Sequence, residues 1–432
     1  MISLFKSLIV SLLTLEARYA LRVHKPRIIA VVGSVGKTST KDAIYAALSP
    51  SFFVRKSEKS FNSEVGIPLT ILGCPTGWRN PLRWVENLFD GLILLFSRSK
   101  YPEWLVLEVG ADRPGDIAKV AAWLPVDIVV VTRLPDVPVH VEYFDSPLQV
   151  IEEKAHILKA LKKDGWFIAN ADDPAVLALR SRTSARVLTY GMGENADIRA
   201  CEFSVLSEKE GYEYPVGITA YLDCEDARVP VSIMGTIGAH QILSALAGYA
   251  VGKTLGREPK ALSEALSTRV PAPGRMRLIS GLKKTLIIDD TYNSSPTAVA
   301  AALEGLRLVT GAKRKIAVLG DMLELGKYSS AKHKEAGTIA ADIADLLITV
   351  GFRARDIADG ALSAGLHESK ILQFEDSGVA GNALEELLQE GDCVLVKGSQ
   401  SMRMERIVEE VMAEPEKATQ LLVRQEHEWK RR

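Results

Sequence analysis

The 432 residues carry 53 Lys and Arg against 54 Asp and Glu, with 47% hydrophobic and 25% charged residues. That length and balance describe a globular protein of two or three domains with large cores, and a formal net charge of -1 gives no electrostatic reason to expect nucleic acid as a partner. Cys74, Cys201, Cys224 and Cys393 stand far apart with no CxxC pair, which argues against a zinc knuckle or a disulfide framework and suits a reducing, cytoplasmic compartment.

At the N-terminus the longest charge-free run, Ser7 to Leu15, is too short to span a bilayer, which takes about 20 apolar residues. No small-residue cleavage site follows it. Phe5, Leu8, Leu12, Leu15 and Tyr19 recur at helical spacing, so an amphipathic helix is expected over residues 1–26, packed on the body or lying on a membrane surface through residues 1–22. Next comes "VVGSVGKTST", residues 31–40, where a strand feeds a glycine turn and then the helix "TKDAIYAAL". The first-turn amides and the positive dipole end favour an anion. Lys37 adds a mobile charge, and the Thr38 hydroxyl can ligate Mg²⁺. The spacing departs from GxxxxGK[ST], because Val31 stands six before Lys37 and Gly33 lies closer in. An ordinary strand-turn-helix corner is the alternative to a nucleotide-phosphate loop.

The apolar stretch "WRNPLRWVENLFDGLILLFSRSKYPEW" follows. Residues 78–100 are expected to form a helical hairpin covering the central domain, or else an element that lies on a membrane surface or grips substrate. The runs "RIIAVVG", "WLVLEVG", "VDIVVVT" and "GWFIAN" then read as a parallel sheet covered by helices. Ligands sit at the carboxyl ends of such strands, which places Lys37, Glu108, Thr132 and Asn170 on one rim. Glu108, an acid inside an apolar run, is costly unless paired or bound to metal. His140 and Lys154 carry no signal by themselves.

A β-rich stretch, the helical "HQILSALAGYAVG" and the proline-marked "VPAPGRM", residues 270–276, come next, the last as the boundary. "TLIIDD", "KIAVLGD", "DLLITVG" and "CVLVKGS" form a second α/β series. Asp289, Asp290 and Lys397 end buried strands within it. The final "EKATQLLVRQEHEWKRR" reads as a solvated helix or tail. The fold expected is therefore α/β, a P-loop central domain with a mainly parallel sheet plus a Rossmann-like C-terminal α/β domain.

In order, "VVGSVGKTST", "FNSEVGIPLTIL", "LEVGADRPGDI", "HVEYFDSPLQVIEEKAHILKAL", "PAPGRM", "IDDTYNSSP", "AVLGDMLELG" and "VLVKGSQSMRMERIV" resemble the motifs of the Mur ligases. The likeness is strongest to members that join D-alanyl-D-alanine to a nucleotide-sugar tripeptide. It implies an N-terminal helix over residues 1–26, a central ATP-binding domain over 27–272 and a C-terminal domain over 273–432, closing on each other near 270–276. It also implies an ATP-dependent amide ligase working through an acyl phosphate, with nucleotide-sugar peptide and D-alanyl-D-alanine as substrates and two Mg²⁺ ions. By resemblance ATP is held by Gly33, Ser34, Val35, Gly36, Lys37, Thr38, Ser39, His240, Gln241, Arg275, Asp290, Tyr292 and Asn293. Metal falls to Thr38, Glu108, His140 and a carbamylated Lys154, and catalysis to Lys37, Lys154 and His140. Gln241, Arg133 and Asp112 replace asparagines usual in the family. The chain ahead of the first strand is too short for the family's separate uridine-binding domain. A monomer is expected. A ligase for another acidic peptide or polyglutamate-like acceptor, or a P-loop ATPase switch, stands as the alternative.

Overall fold

The computed structural model describes residues 2–58, 61–78, 80–96, 100–210 and 212–430. Two sheets organise them. The first contains β1 (Arg27–Val32), β2 (Val54–Lys56), β3 (Trp104–Glu108), β4 (Val126–Val131), β5 (Leu161–Asn170), β6 (Arg186–Gly191), β7 (Ile198–Glu210), β8 (Tyr212–Cys224) and β9 (Ala227–Met234). Their spatial order is β2-β3-β1-β4-β5-β6-β7-β8-β9. Pairing is parallel as far as β7, and the β7-β8-β9 end is an antiparallel meander. Chain order reverses at β1, which has β3 on one side and β4 on the other, so the crevice that open α/β sheets offer to ligands falls at its carboxyl end.

β1 is apolar on both faces because helices cover both. Ile29 and Val31 pack with Ala43, Ile44 and Ala47 of the helix Lys37–Leu48 and with Ile242, Ala245 and Tyr249 of the helix His240–Thr254. Ile28, Ala30 and Val32, pointing the other way along the pleat, pack with Ile9, Leu13, Ala17 and Ala20 of the helix Ile2–His24. The N-terminal helix is thus present, but its packed stripe differs from the one expected: Leu8, Leu12, Leu15 and Tyr19 stay exposed. Phe5 lies outside the described side chains. The small Ala17 and Ala20 lie within the packed stripe. Among the described residues of 78–100 there is one helix, Pro81–Phe96, where a hairpin was expected. It lies against the N-terminal helix, where a Cβ on Gly91 would fall 2.2 Å from Glu16 Oε2, and leaves Leu82, Val85, Phe89 and Ile93 exposed. Among the described residues no helix is long and apolar enough to cross a membrane.

The second sheet comprises β10 (Arg277–Gly281), β11 (Thr285–Asp290), β12 (Arg314–Gly320), β13 (Leu346–Val350), β14 (Ile371–Phe374) and β15 (Asp392–Lys397). Its order is β10-β11-β15-β12-β13-β14, parallel but for β10. The lobes meet around residues 235–278, where Thr236 Oγ1 donates to Met276 O at 2.9 Å and Leu278 N to Gly235 O at 2.9 Å. A single apolar cluster runs through this junction, joining Ile237 and Met276 to Leu303 and Leu306 of the helix Pro296–Arg307. The C-terminal segment is not the solvated tail expected from its charge. Arg424 is only 7% exposed, because its guanidinium donates to the Thr291 and Tyr292 carbonyls and to Glu405, which removes the cost of burying it.

Candidate active site

The turn after β1 is shaped by two glycines. Gly33 has φ 145°, and a Cβ there would sit 2.0 Å from Thr132 Oγ1; Gly36, at φ 85°, caps the helix Lys37–Leu48. Neighbouring strand ends pin the loop. Ser34 N donates to Arg133 O at 2.8 Å, Thr132 Oγ1 to Val35 O at 2.7 Å, and Asn170 Nδ2 to Thr132 O at 2.7 Å. Lys37, Glu108, Thr132 and Asn170 accordingly share one rim, and a helix N-terminus opens beside them.

Positive charge dominates that rim. Glu108, 1% exposed, accepts from Thr38 Oγ1 at 2.9 Å and from Asn62 Nδ2 at 3.2 Å, with Lys41 Nζ at 3.9 Å. Arg275 crosses from beyond the first sheet to donate to Thr38 Oγ1 at 3.2 Å, its guanidinium 4.0 Å from the Tyr292 ring centroid. Lys37 Nζ donates to Gly33 O at 3.0 Å. Burial pulls its pKa below the usual lysine value, and Arg275 adds to the depression while Glu108 opposes it. Lys154, 3% exposed, is pushed down to about 7 by burial and then by the Lys37 charge. Several cations crowded around one carboxylate are stabilised by an incoming polyanion.

The facing rim is neutral. Asp290 accepts from Lys397 Nζ at 2.6 Å and from Met276 N at 3.2 Å, and Lys397 also donates to Asn293 O at 2.8 Å. Asp289, raised to about 6 by burial, accepts from Gly274 N at 2.9 Å and Thr291 Oγ1 at 2.6 Å. It braces the loops instead of facing the ligand space. His240 is pushed down to about 4 by burial and is therefore neutral at pH 7. Gln241 Nε2 reaches Arg275 O at 3.4 Å, and Arg269 ties the same helix to Ser39 O at 3.0 Å.

Between the rims lies a cleft of about 760 Å³. Of the residues expected to hold ATP, Ser34, Val35, Gly36, Lys37, Ser39, His240, Gln241, Arg275, Asp290, Tyr292 and Asn293 line it, while Gly33 and Thr38 stand behind the wall. The expected metal set is only partly gathered. Thr38 meets Glu108, and His140 lines the same cleft in a left-handed conformation at φ 71°, with Nδ1 2.6 Å from Glu324 Oε2 and Nε2 3.4 Å from Asp112 Oδ1. His140 beside it holds the Glu324 carboxyl below the usual carboxylate range. Among the described residues no three His, Cys, Asp or Glu side chains form a cluster that could hold a metal ion. Sequence reasoning missed Asn62, Glu324, Ser399, Arg403 and Trp429 as wall residues. All but Trp429 fall inside quoted motifs, which located the segments but not the side chains that turn inward.

Two family models match the chain: Mur ligase middle domain over residues 87–252 and Mur ligase, glutamate ligase domain over residues 274–400. The UDP-N-acetylmuramoyl-tripeptide--D-alanyl-D-alanine ligase of Bacillus subtilis is 31% identical over 391 residues, covering 90% of this chain and 76% of that protein. Among solved structures, MurF ligase from Thermotoga maritima in complex with ADP superposes with a TM-score of 0.74 at 28% identity, covering 95% of this chain and 84% of that one. MurF from Acinetobacter baumannii, at 24% identity and a TM-score of 0.76 over 93% of this chain and 79% of its own, shares the fold. With models over both lobes and a relative of that identity and coverage, the chain belongs to the Mur ligase family.

Proposed function

We propose that this cleft joins D-alanyl-D-alanine to the free carboxylate of a UDP-N-acetylmuramoyl-tripeptide at the expense of ATP, by way of an acyl phosphate. The observation that carries the reading is the cation-rich phosphate loop of the first lobe facing Arg275, Tyr292 and Asn293 across one cleft. The names of the Bacillus subtilis and Thermotoga maritima relatives supply the substrates and the nucleotide.

The chemical obstacle is repulsion, since a carboxylate oxygen must approach the γ-phosphate before ADP can leave. Lys37 and the amides of the loop cancel charge where it accumulates, and Arg275, stacked on Tyr292, holds the phosphates from the other side. Neutral His240 and Gln241 suit an adenine, which presents donors and acceptors but no charge. The amine of the dipeptide then attacks the acyl carbon, and inorganic phosphate departs. Mg²⁺ fits the hard oxygen donors Glu108 and Thr38 and, when bound, supplies further charge neutralisation on the phosphates. The Lys154 ammonium cannot ligate a cation. At a pKa of about 7 a large share of it is the free amine that CO₂ requires, and the carbamate so formed is an anionic oxygen donor. Residues 1–26, 27–272 and 273–432 are taken as the helix and two domains of a cytoplasmic monomer.

The deciding assay is phosphate release by the intact chain with ATP, UDP-N-acetylmuramoyl-tripeptide and a panel of dipeptides. Release should require both co-substrates and be greatest with D-alanyl-D-alanine. Turnover without an amine would instead identify an ATPase switch, and stimulation by another acidic acceptor alone would identify a ligase of different specificity.

A further inference from the structure

The segment ahead of the helix Pro81–Phe96 places one indole against a residue of the cleft wall. Trp78 is held there by Trp84 of that helix, whose Nε1 donates to Trp78 O at 3.1 Å. The Trp84 ring occupies the space that a Cβ on Gly77 would need, at 2.6 Å. From the second lobe comes Trp429, in the short helix His427–Lys430, which lines the cleft. The two indoles meet edge to face, with centroids 6.1 Å apart and planes at 87°.

The tail carrying Trp429 is anchored at two points. Arg424 grips the loop of Tyr292 by donating to Tyr292 O at 3.0 Å. Arg403 donates to Trp429 O at 2.9 Å, stands 5.7 Å from its ring centroid and is itself fixed by Glu405 at 2.6 Å. Trp78, Arg403 and Arg424 all have left-handed backbones, at φ 46°, 55° and 58°. Residues with a Cβ adopt that conformation at a cost, and it persists where surrounding contacts over-determine it. Trp78 and Arg403 thus touch Trp429 directly, Arg424 fixes the tail ahead of it, and the indole contact crosses between the lobes.

We propose that Trp78 and Trp429 form an aromatic clasp that closes the rim of the cleft, Trp429 acting as a positioning residue that holds the lobes over the reacting groups and keeps water from the acyl phosphate. The second part rests on the ligase reading; the clasp itself does not. An edge-to-face pair shifts the ratio of closed to open forms by about 2- to 10-fold. The same factor is expected in the test.

Full-length wild type, Trp429→Ala and Trp429→Phe are compared with ATP and Mg²⁺ present, reading amide hydrogen exchange around Trp78 and the ADP formed per amide bond made. Trp429→Ala should raise exchange around Trp78 by about 2- to 10-fold, leave β1 protected as a check on folding, and raise the ADP-to-amide ratio; Trp429→Phe should restore most of both. Unchanged exchange around Trp78 overturns the clasp. Raised exchange with an unchanged ADP-to-amide ratio overturns its role in excluding water. A wild type that makes no amide defeats the ligase reading, and exchange alone then decides the clasp.

Discussion

Asp290 and Glu108 both end buried strands on facing walls of one cleft, yet their surroundings differ in charge balance. Asp290 has a cation of its own in register across the strand pair, Lys397 at 2.6 Å, and the remaining hydrogen bonds of the pair go to Met276 N and Asn293 O. That unit is closed and neutral. It orders the loop bearing Tyr292 and Asn293 without calling for a ligand. Glu108 stands among Lys37, Lys41 and Arg275, with the Lys37 charge also felt by Lys154 and with Asp42 and Asp112 acting on the same lysines. These charges are shared among several groups instead of being paired one to one, which leaves the cations available to a polyphosphate. The comparison separates a structural ion pair from a binding site, although both begin as charged residues ending apolar runs.

Lys37→Ala tests the difference most severely. Removing the charge that faces the phosphate should lower phosphate release in the complete assay by about 10²- to 10³-fold with the fold intact by circular dichroism; activity close to wild type would place anion binding elsewhere. On stability instead of activity, Asp290→Ala leaves the Lys397 ammonium buried without its partner and should cost about 3–5 kcal/mol in urea unfolding. The double variant Asp290→Leu, Lys397→Met should regain most of that loss, and failure to do so would mean that the pair is more than a neutral brace.

The smallest effect concerns Lys154. Its pKa of about 7 in the folded chain lies below the ordinary lysine value of 10.5, so the unfolded chain holds the proton across that window. Stability therefore rises with pH between the two values, and the burial penalty is complete below 7. Lys154→Met should stabilise the fold most at pH 7 and below, the advantage shrinking toward pH 10 by at most about 1.4 kcal/mol per pH unit. Urea midpoints at pH 7 and 9 read this. The carbamate carbon expected by NMR under ¹³CO₂ at pH 8 should vanish in the same variant.

Much of the binding rim was legible because strand ends in a parallel sheet converge by topology. Glu108, Thr132 and Asn170 end or follow apolar runs and Lys37 opens the helix after another, and such positions share one edge. Arg275, Tyr292 and Asn293 came from the family likeness, and they line the same cleft. The N-terminal helix was harder to read. Leu8, Leu12, Leu15 and Tyr19 satisfy helical spacing as well as Ile9, Leu13, Ala17 and Ala20 do, and periodicity cannot tell which stripe faces β1. The choice was made by packing against β1 and the helices that flank it. Charge composition likewise pointed the C-terminal segment toward solvent, whereas the carbonyls of Thr291 and Tyr292 capture Arg424. The partner lies more than a hundred residues away, and no local pattern announces it.

By itself the sequence determined the α/β architecture, the phosphate loop and the identity of the charged residues at the strand ends, because these depend on periodicity, glycine placement and local turn chemistry. Only the tertiary structure decided which acid has a cation of its own and which shares several, which stripe of the first helix is buried, and that Trp429 reaches Trp78. Each of these depends on a contact between segments far apart in the chain, where packing and desolvation choose among partners that the sequence leaves equivalent.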